Sequence, residues 1–173
     1  MTGTMDDDAL VTALGRLRVG SGLDVHGFEE GRRLVLAGVD VPHTHGLEGH
    51  SDADLVAHAV TDALLGGAGL ADIGTYFPPN DPSLEGADSM ELLGQVVDML
   101  DERGCTIVNV DCVVALQAPR LAPHREAMIA NLAATLRIDA DRVTVRATTT
   151  DGLGFVGRRE GGAALATCLV LRG

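Results

Sequence analysis

The chain has 173 residues, of which 46% are hydrophobic and 22% are charged, so it is long and apolar enough to form one domain with a proper core. This composition excludes a disordered chain. The formal net charge is −12 and the sequence contains no lysine. This balance argues against non-specific binding to nucleic acid or to an anionic membrane.

No apolar run in the sequence approaches the roughly 18 residues that a bilayer-spanning helix needs. We expect no signal peptide at the start of the chain. The three cysteines, Cys105, Cys112 and Cys168, are odd in number and form no CxxC pair, which predicts buried free thiols in a reducing compartment. We therefore expect a cytoplasmic protein.

Hydrophobic periodicity divides the chain into an N-terminal extension and one domain. Residues 1–15 are acidic and then weakly helical, and we expect them to be poorly ordered. In the domain, 16–173, the predicted strands cover residues 17–26, 33–39, 106–115, 142–148 and 163–171, with a short one near 41–42. The predicted helices cover residues 50–65, 88–103 and 123–137. This order predicts an α/β (α+β) fold, a mixed sheet backed by helices on one face.

The first helix of the domain begins beside His50. Ser51 or Asp52 is the expected N-cap, and Gly66 and Gly67 are expected to end the helix. A helix N-terminus presents unpaired N–H groups and the positive end of the helix dipole. Ser51 and its neighbours could therefore hold a phosphate.

Asp24, His26, Asp54 and His58 have spacings that suit a metal site. Asp24 and His26 are two residues apart, so on a strand their side chains share a face. Asp54 and His58 are four apart and share a face on a helix. The strand pair with one helix histidine would supply three N/O ligands and leave a fourth position open, as in catalytic zinc sites. The same residues also suit helix caps or buried histidines, and both interpretations stay open here.

Two loops carry further polar and breaker residues. The stretch 72–82 contains Asp72-Ile73-Gly74 and then several prolines, and it is either a lid over a site or an ordinary connection. A threonine run, 148–150, ends the strand before Asp151, and a glycine-rich turn follows at 152–158. The threonines could also simply end a β-rich strand.

Four blocks together carry a resemblance to a known family. They are Asp24-Val25-His26, His50-Ser51-Asp52, Thr148-Thr149-Thr150 and Gly154-Phe155-Val156-Gly157-Arg158. In this order they resemble the 2-C-methyl-D-erythritol 2,4-cyclodiphosphate synthase family over residues 18–171. The resemblance implies an enzyme of non-mevalonate isoprenoid biosynthesis that converts 4-diphosphocytidyl-2-C-methyl-D-erythritol 2-phosphate to the 2,4-cyclodiphosphate and releases CMP. Such an intramolecular phosphoryl transfer depends on positioning and charge stabilisation.

The resemblance also implies roles for the matching positions. A divalent metal, zinc, would bind Asp24, His26 and His58, and a second cation, magnesium or manganese, would bind the diphosphate near Asp151. His50 and Thr149 would be catalytic by polarising the phosphates. The implied substrate-binding residues are Asp24, Val25, His26, His50, Ser51, Asp72, Ile73, Gly74, Phe77, Asp81, Leu116, Ala118, Pro119, Arg120, Leu121, Ala122, Thr148, Thr149, Thr150, Asp151, Phe155 and Arg158.

Family membership further implies a homotrimer with sites built between neighbouring subunits. A hydrophobic channel on the three-fold axis would be able to hold an isoprenoid diphosphate. Phe155 and Arg158, with Leu23 and Glu160, would line that channel.

Three positions depart from the family pattern. Asp151 stands where glutamate is usual, Arg120 replaces a usual lysine, and Pro79 replaces the first acid of a Phe-Pro-Asp-x-Asp pattern in which Asp81 survives. None of the three belongs to the implied zinc ligands. We expect activity to be retained, with substrate affinity affected more than chemistry.

Two other functions stay open from the sequence. A zinc-dependent hydrolase of phosphate esters or amides would use Asp54 as the general base beside a metal-bound water. A non-catalytic trimer that binds isoprenoid or nucleotide diphosphates would share the fold.

Overall fold

The computed structural model describes residues 7–173. Of the predicted N-terminal extension, residues 1–6 lie outside the described part of the chain, and a helix begins at Asp7. The strands are β1 Leu17–Glu30, β2 Leu34–Leu36, β3 Val39–Val41, β4 His45–Leu47, β5 Cys105–Ala115, β6 Val143–Thr148 and β7 Gly161–Arg172. The helices are α1 Asp7–Leu14, α2 Leu55–Ala68, α3 Ile73–Tyr76, α4 Ser89–Glu102, α5 Arg125–Leu136 and α6 Gly154–Gly157.

Five of the strands form one mixed sheet in the order β4-β1-β7-β5-β6. The long strand β1 runs antiparallel to β7 from the Leu17–Leu171 pair to the Gly27–Gly161 pair. Strands β5 and β6 are parallel, as expected of two strands joined through a helix, here α5. The predicted mixed sheet is confirmed.

Helix α2 lies directly on β1 and β7 because glycines allow its backbone to come close. A Cβ atom at Gly20 would lie 1.9 Å from the carbonyl oxygen of Ala63, and one at Gly22 would lie 2.1 Å from that of Ala59. Any side chain at these two β1 positions would therefore push the helix off the sheet. This close approach brings α2 next to the Asp-x-His segment of β1.

The helices cover only one face of the sheet, as predicted. Beneath them lies an aliphatic core in which Leu64, Leu93 and Leu132 are fully buried. Along β1, the residues that alternate with the buried glycines point to the other face, where Val19, Leu23 and Val25 are 68%, 64% and 49% exposed. Leu165 of β7 is 49% exposed on the same face. The open face of the sheet is thus apolar.

The predicted strand over residues 33–39 is wrong, because this segment is a hairpin made of β2 and β3. Its turn residues, Ala37 and Gly38, have φ values of 50° and 69°. Two consecutive positive φ values make the tight turn whose twist suits a β-hairpin. Alanine rarely adopts this conformation, so the sequence carries no turn signal at Ala37.

Both predicted ends of the helix over residues 50–65 are also wrong. Helix α2 begins at Leu55 with Asp54 as its N-cap, so Ser51 and Asp52 lie in the preceding loop. It continues through Gly66 and Gly67 to Ala68 and ends at Gly69, whose φ is 73°. Gly67 faces the sheet, where a Cβ would lie 3.0 Å from Val170 and 3.1 Å from Cys168, so its role is close packing and not helix termination.

The cysteine prediction is confirmed, since Cys105, Cys112 and Cys168 are buried free thiols. Burial raises the pKa of the Cys112 thiol to about 12 and that of Cys168 to about 11, so both stay protonated. Among residues 7–173, no helix is both long and apolar enough to cross a membrane.

Candidate metal centre and active site

Asp24, His26 and His58 converge on one point at the junction of β1 and α2. The Oδ2 atom of Asp24 lies 2.8 Å from Nε2 of His26 and 3.1 Å from Nδ1 of His58. The two histidine nitrogens are 3.2 Å apart. Within the described residues, these three side chains form a group that could hold a metal ion. The predicted ligand set is therefore brought together.

The local sequence explains this convergence. Asp24 and His26 alternate with Val25 on β1, so both face α2. His58 lies one turn into α2, whose start is fixed by Asp54. The Asp54 carboxylate is fully buried and accepts the N–H groups of Val56 and Ala57.

Each histidine is oriented by the ring nitrogen that does not face the triad. Nδ1 of His26 donates to the carbonyl oxygen of Glu48 at 2.6 Å. Nε2 of His58 lies 2.9 Å from the hydroxyl of Ser89. These contacts leave His26 Nε2 and His58 Nδ1 as the nitrogens that face Asp24, and each can bind a metal ion once it carries no proton.

The charges in the triad favour an ionised aspartate. Burial acts to raise the pKa of Asp24, but its hydrogen bonds to His26 and His58 and their charges outweigh burial and hold the pKa well below its ordinary value. Burial likewise acts to lower the pKa of His26, and the hydrogen bond and charge of Asp24 outweigh it and raise the pKa. An anionic carboxylate between two imidazoles attracts a cation.

The donor set fits a divalent metal ion. Carboxylate and imidazole ligands suit zinc and similar metals. Tetrahedral ligand atoms roughly 2.1 Å from a zinc ion lie roughly 3.4 Å apart. The three donor atoms are 2.8, 3.1 and 3.2 Å apart, so a small expansion of the triad would admit the ion.

A cavity of about 460 Å³ opens beside the triad. It is lined by His26, Glu48, Gly49, His50, Ser51, His58, Ile73, Gly74, Phe77, Pro78, Pro79, Leu84 and Leu92. Seven of the predicted site residues thus surround one space: His26, His50, Ser51, His58, Ile73, Gly74 and Phe77. The breaker-rich segment that carries Phe77 forms one wall of the site.

His50 and Ser51 are held in this cavity by contacts that the sequence did not reveal. Arg32 donates to the carbonyl oxygens of Gly49 and Ser51, both at 2.8 Å, and so anchors the loop on either side of His50. Nε2 of the exposed His50 donates to the carbonyl oxygen of Asp81 at 3.0 Å. Asp81 therefore orients His50 through its backbone, while its carboxylate accepts from Ser83.

Phosphate binding at Ser51 was predicted from its position at a helix N-terminus, and this position is wrong. Because α2 begins at Leu55, Ser51 does not sit at the helix N-terminus. Its hydroxyl is largely buried, accepts the N–H of Ala53 at 3.1 Å and lies 3.3 Å from Nε2 of His58.

The proposed hydrolase base is contradicted by the structure. The carboxylate of Asp54 points away from the triad and accepts four backbone N–H groups, from Ala37, Gly38, Val56 and Ala57. Asp54 is 0% exposed, so no water can reach it to be activated. Asp54 and His58 therefore do not act on one site, although their spacing suggested it.

Asp72, Ile73 and Gly74 are placed by α3. The Asp72 side chain caps this short helix by accepting the N–H of Thr75 at 2.9 Å. The carboxylate of Asp62 on α2 accepts the N–H of Ile73 at 2.7 Å. This bond fixes α3, and with it the cavity wall, to the helix that carries His58.

A second group of predicted residues lies at the ends of the parallel strands β5 and β6. These residues line a shallow cavity of about 200 Å³. Its lining consists of Leu116, Gln117, Pro119, Arg120, Leu121, Ala122, Ala147, Thr148 and Thr149. Ala118 instead lines a small neighbouring cavity with Phe28 and His43. The Thr149 hydroxyl donates to Asp151 at 3.3 Å, and that of Thr150 donates to the Leu153 carbonyl at 2.6 Å.

The Asp24–His26 pair and Thr148 face different sides of the sheet. Asp24 and His26 point to the helix side, whereas Thr148 alternates with buried Val145 and points to the open side. The cavity at the triad and the cavity at the threonines share no lining residue. In one chain, the predicted site is therefore divided into two halves.

The predicted channel residues lie near the start of β7. Phe155 on α6 is 38% exposed. Arg158 makes an ion pair with Glu160, with N–O distances of 2.8 and 2.9 Å. Leu23 and Val25 are exposed on the open face of the sheet.

Comparisons with known proteins agree with this geometry. A 2-C-methyl-D-erythritol 2,4-cyclodiphosphate synthase from Bordetella pertussis is 54% identical over 155 residues, which are 90% of this chain and 96% of that protein. The bifunctional IspDF from Campylobacter jejuni is 46% identical with a TM-score of 0.88, over 91% of this chain and 42% of that one. The Plasmodium falciparum IspF in a CDP complex is 30% identical with a TM-score of 0.79, over 90% and 96% of the two chains.

The sequence model of the YgbB family matches residues 17–171, which include both halves of the site. The expected family resemblance is confirmed by this match and by the 54% identity to the synthase from B. pertussis. The chain belongs to the YgbB family.

Proposed function

We propose that the chain is a 2-C-methyl-D-erythritol 2,4-cyclodiphosphate synthase. Its substrate is 4-diphosphocytidyl-2-C-methyl-D-erythritol 2-phosphate. An oxygen of the 2-phosphate attacks the β-phosphorus, the bond from that phosphorus to the bridging oxygen breaks, and CMP leaves with the bond's electron pair. The enzyme is then a phosphorus–oxygen lyase that produces one cyclic diphosphate for each CMP.

The observation that carries this proposal is the triad of Asp24, His26 and His58 at the edge of a cavity of about 460 Å³. When bound there, a divalent metal ion, which we propose to be zinc, supplies Lewis-acid stabilisation of the phosphate oxygens. The protein has no covalent role in such a transfer, so it must hold two anionic groups in line and shield them from water.

The residues around the cavity suit these tasks. His50 is exposed to the cavity, and its Nε2–H can donate to a phosphate oxygen in the transition state when the substrate replaces the Asp81 carbonyl as acceptor. Ile73, Gly74 and Phe77 offer a mostly apolar wall for the erythritol part. In the second half of the site, Thr149 polarises the diphosphate and the 116–122 segment with Arg120 receives the cytidine.

A second cation, magnesium or manganese, is proposed on the diphosphate beside Asp151. This carboxylate is exposed and its Oδ1 accepts from the hydroxyl of Thr149 at 3.3 Å, so it is ordered beside a catalytic residue. Because one carboxylate alone is a weak magnesium site, the phosphates of the substrate would provide most of the ligands.

We further propose that the enzyme is a homotrimer whose sites combine two neighbouring chains. The separation of the predicted site into two cavities that share no lining residue supports this, because a neighbouring chain can bring its threonines to the triad. Val19, Leu23, Val25 and Leu165 would be buried in that contact. Phe155 and Arg158 would then line a central channel able to hold an isoprenoid diphosphate.

Mixing two inactive variants tests the shared site. His58→Ala removes a metal ligand and Thr149→Ala removes a catalytic group from the other half. Trimers assembled from both chains should regain activity, because some sites combine the intact half of each. A mixture with no more activity than either variant alone would contradict the shared site.

The reaction itself is tested with the diphosphocytidyl substrate, zinc and magnesium, followed by ³¹P NMR. The proposal requires CMP and the cyclic diphosphate in equal amounts. Release of inorganic phosphate without CMP would indicate the hydrolase, which the buried Asp54 already disfavours. Tight substrate binding without turnover would indicate a binding protein.

A further inference from the structure

The imidazole of His58 contacts a second polar group on the side that faces away from Asp24. Its Nε2 atom lies 2.9 Å from the hydroxyl oxygen of Ser89, and that hydroxyl donates to Oδ1 of Asp52. Ser89 is 1% exposed, so water does not compete for these bonds. We infer that Asp52 and Ser89 are positioning residues that set the tautomer and the orientation of His58 for metal binding.

The single proton of the Ser89 hydroxyl fixes the direction of this chain of bonds. The Asp52 carboxylate accepts from the hydroxyl and the backbone N–H of Ser89 and from the N–H of Asp54. A carboxylate has no proton to donate, so the hydroxyl proton points at Asp52 and an oxygen lone pair faces His58. His58 must then donate through Nε2–H, so Nδ1, the atom that faces Asp24, is the nitrogen that can bind a metal ion once it carries no proton.

The hydrogen bonds from His58 through Ser89 to Asp52 form a relay, and three separate segments of the chain meet in it. Asp52 lies in the loop before α2, His58 lies on α2, and Ser89 is the first residue of α4. The backbone N–H of Ser89 also lies 3.3 Å from both carboxylate oxygens of Asp52, so the loop and α4 are joined at the same point. The position of α4 is thereby coupled to the orientation of a metal ligand.

The relay is expected to strengthen metal binding. A hydrogen bond from the outer nitrogen of a ligating histidine holds the ring in place and raises its basicity, and losing such a bond typically weakens metal affinity 10–100-fold. For His26 the corresponding partner is the Glu48 carbonyl, which no side-chain substitution removes. Only the bond at His58 can be deleted by mutation.

Ser51 offers a matched control. Its hydroxyl lies 3.3 Å from Nε2 of His58 and 3.2 Å from Oγ of Ser89, so it is almost as close as Ser89. The hydrogen bonds of the Ser51 hydroxyl are with His58, Ser89 and Ala53, and Asp52 is not among these partners. Removing it deletes a neighbouring hydroxyl and leaves the relay intact.

The test measures zinc affinity of the full chain by competition with a chromophoric chelator. Ser89→Ala should weaken zinc binding 10–100-fold, and Asp52→Asn should weaken it in the same direction. The double variant should bind no more weakly than Ser89→Ala alone, because Asp52 acts through Ser89. Ser51→Ala should change the affinity less than about threefold.

Imidazole ¹⁵N NMR of the zinc-loaded proteins adds a readout that a general loss of packing would not imitate. The Nε2–H of His58 should exchange slowly with water in the wild type and faster in Ser89→Ala, while the Nδ1–H of His26 stays unchanged. Unchanged zinc affinity in Ser89→Ala, additive losses in the double variant or equal exchange of the His58 Nε2–H in the two proteins would each overturn the inference.

The inference rests on the metal site of the proposed function, but the two can fail separately. A wild-type chain without tight zinc binding would contradict the metal site itself. Tight wild-type binding with unchanged variants would contradict only the relay.

Discussion

Replacing Asp54 with alanine should destabilise the protein far more than removing an ordinary helix cap. This carboxylate accepts the N–H groups of Ala37 and Gly38 at 2.8 and 2.7 Å and those of Val56 and Ala57 at 3.0 Å each. It thus joins the turn of the β2–β3 hairpin to the first turn of α2.

The magnitude follows from the buried donors that the substitution leaves without partners. The two helix donors account for about 1 kcal/mol, as for an N-cap. The turn donor of the buried Ala37 adds about 1–1.5 kcal/mol, and that of Gly38, which is an exposed residue, adds about 0.5–1 kcal/mol. Asp54→Ala should therefore lower the free energy of unfolding by about 2.5–3.5 kcal/mol.

Urea unfolding at pH 8 measures this loss, with Asp88→Ala as the control. Burial raises the pKa of Asp54 to about 6 although backbone N–H groups lower it, so at pH 8 the wild-type carboxylate is ionised. Asp88 is an exposed N-cap that accepts only the Met90 N–H, and its loss should cost about 1 kcal/mol. Equal protein concentrations are needed because subunit association adds to stability. Equal losses in the two variants would refute the reasoning.

Two further predictions concern the metal and the N-terminal segment. Asp24 raises the pKa of His26, and a protonated His26 must lose its proton before a metal ion can bind. Zinc affinity should therefore weaken as the pH falls below this raised pKa. Equal affinities at about pH 5.5 and pH 8 would contradict this prediction. Deleting residues 1–15 should leave turnover nearly unchanged, because α1 lies outside both cavities; a large loss would place this segment in the site or the interface.

The metal triad could be predicted from the sequence because its parts depend on local periodicity. Asp24 and His26 share a face on any strand, and His58 needs only a helix that contains it. Asp54 does not share a helix face with His58, although the two residues are four apart. At an N-cap, the side chain turns back to the backbone N–H groups and does not join the helix face.

The partners that hold the site could not be predicted, because they come from distant parts of the chain. Ser89 meets His58 because α4 packs on α2, and Arg32, which lies between β1 and β2, reaches the loop around His50 from 17 and 19 residues away in the sequence. No local pattern marks either residue. The sequence does not indicate the β2–β3 hairpin, because the turn places an alanine, Ala37, at positive φ.

The most direct test of the account compares the wild type with His58→Ala in the ³¹P NMR assay at one zinc per chain. We predict CMP and cyclic diphosphate in equal amounts from the wild type, and neither product from a folded His58→Ala protein that has lost its tightly bound zinc. Cyclic product from His58→Ala at the wild-type rate, or stoichiometric zinc retained by that variant, would contradict the assignment of Asp24, His26 and His58 as the metal site of the reaction.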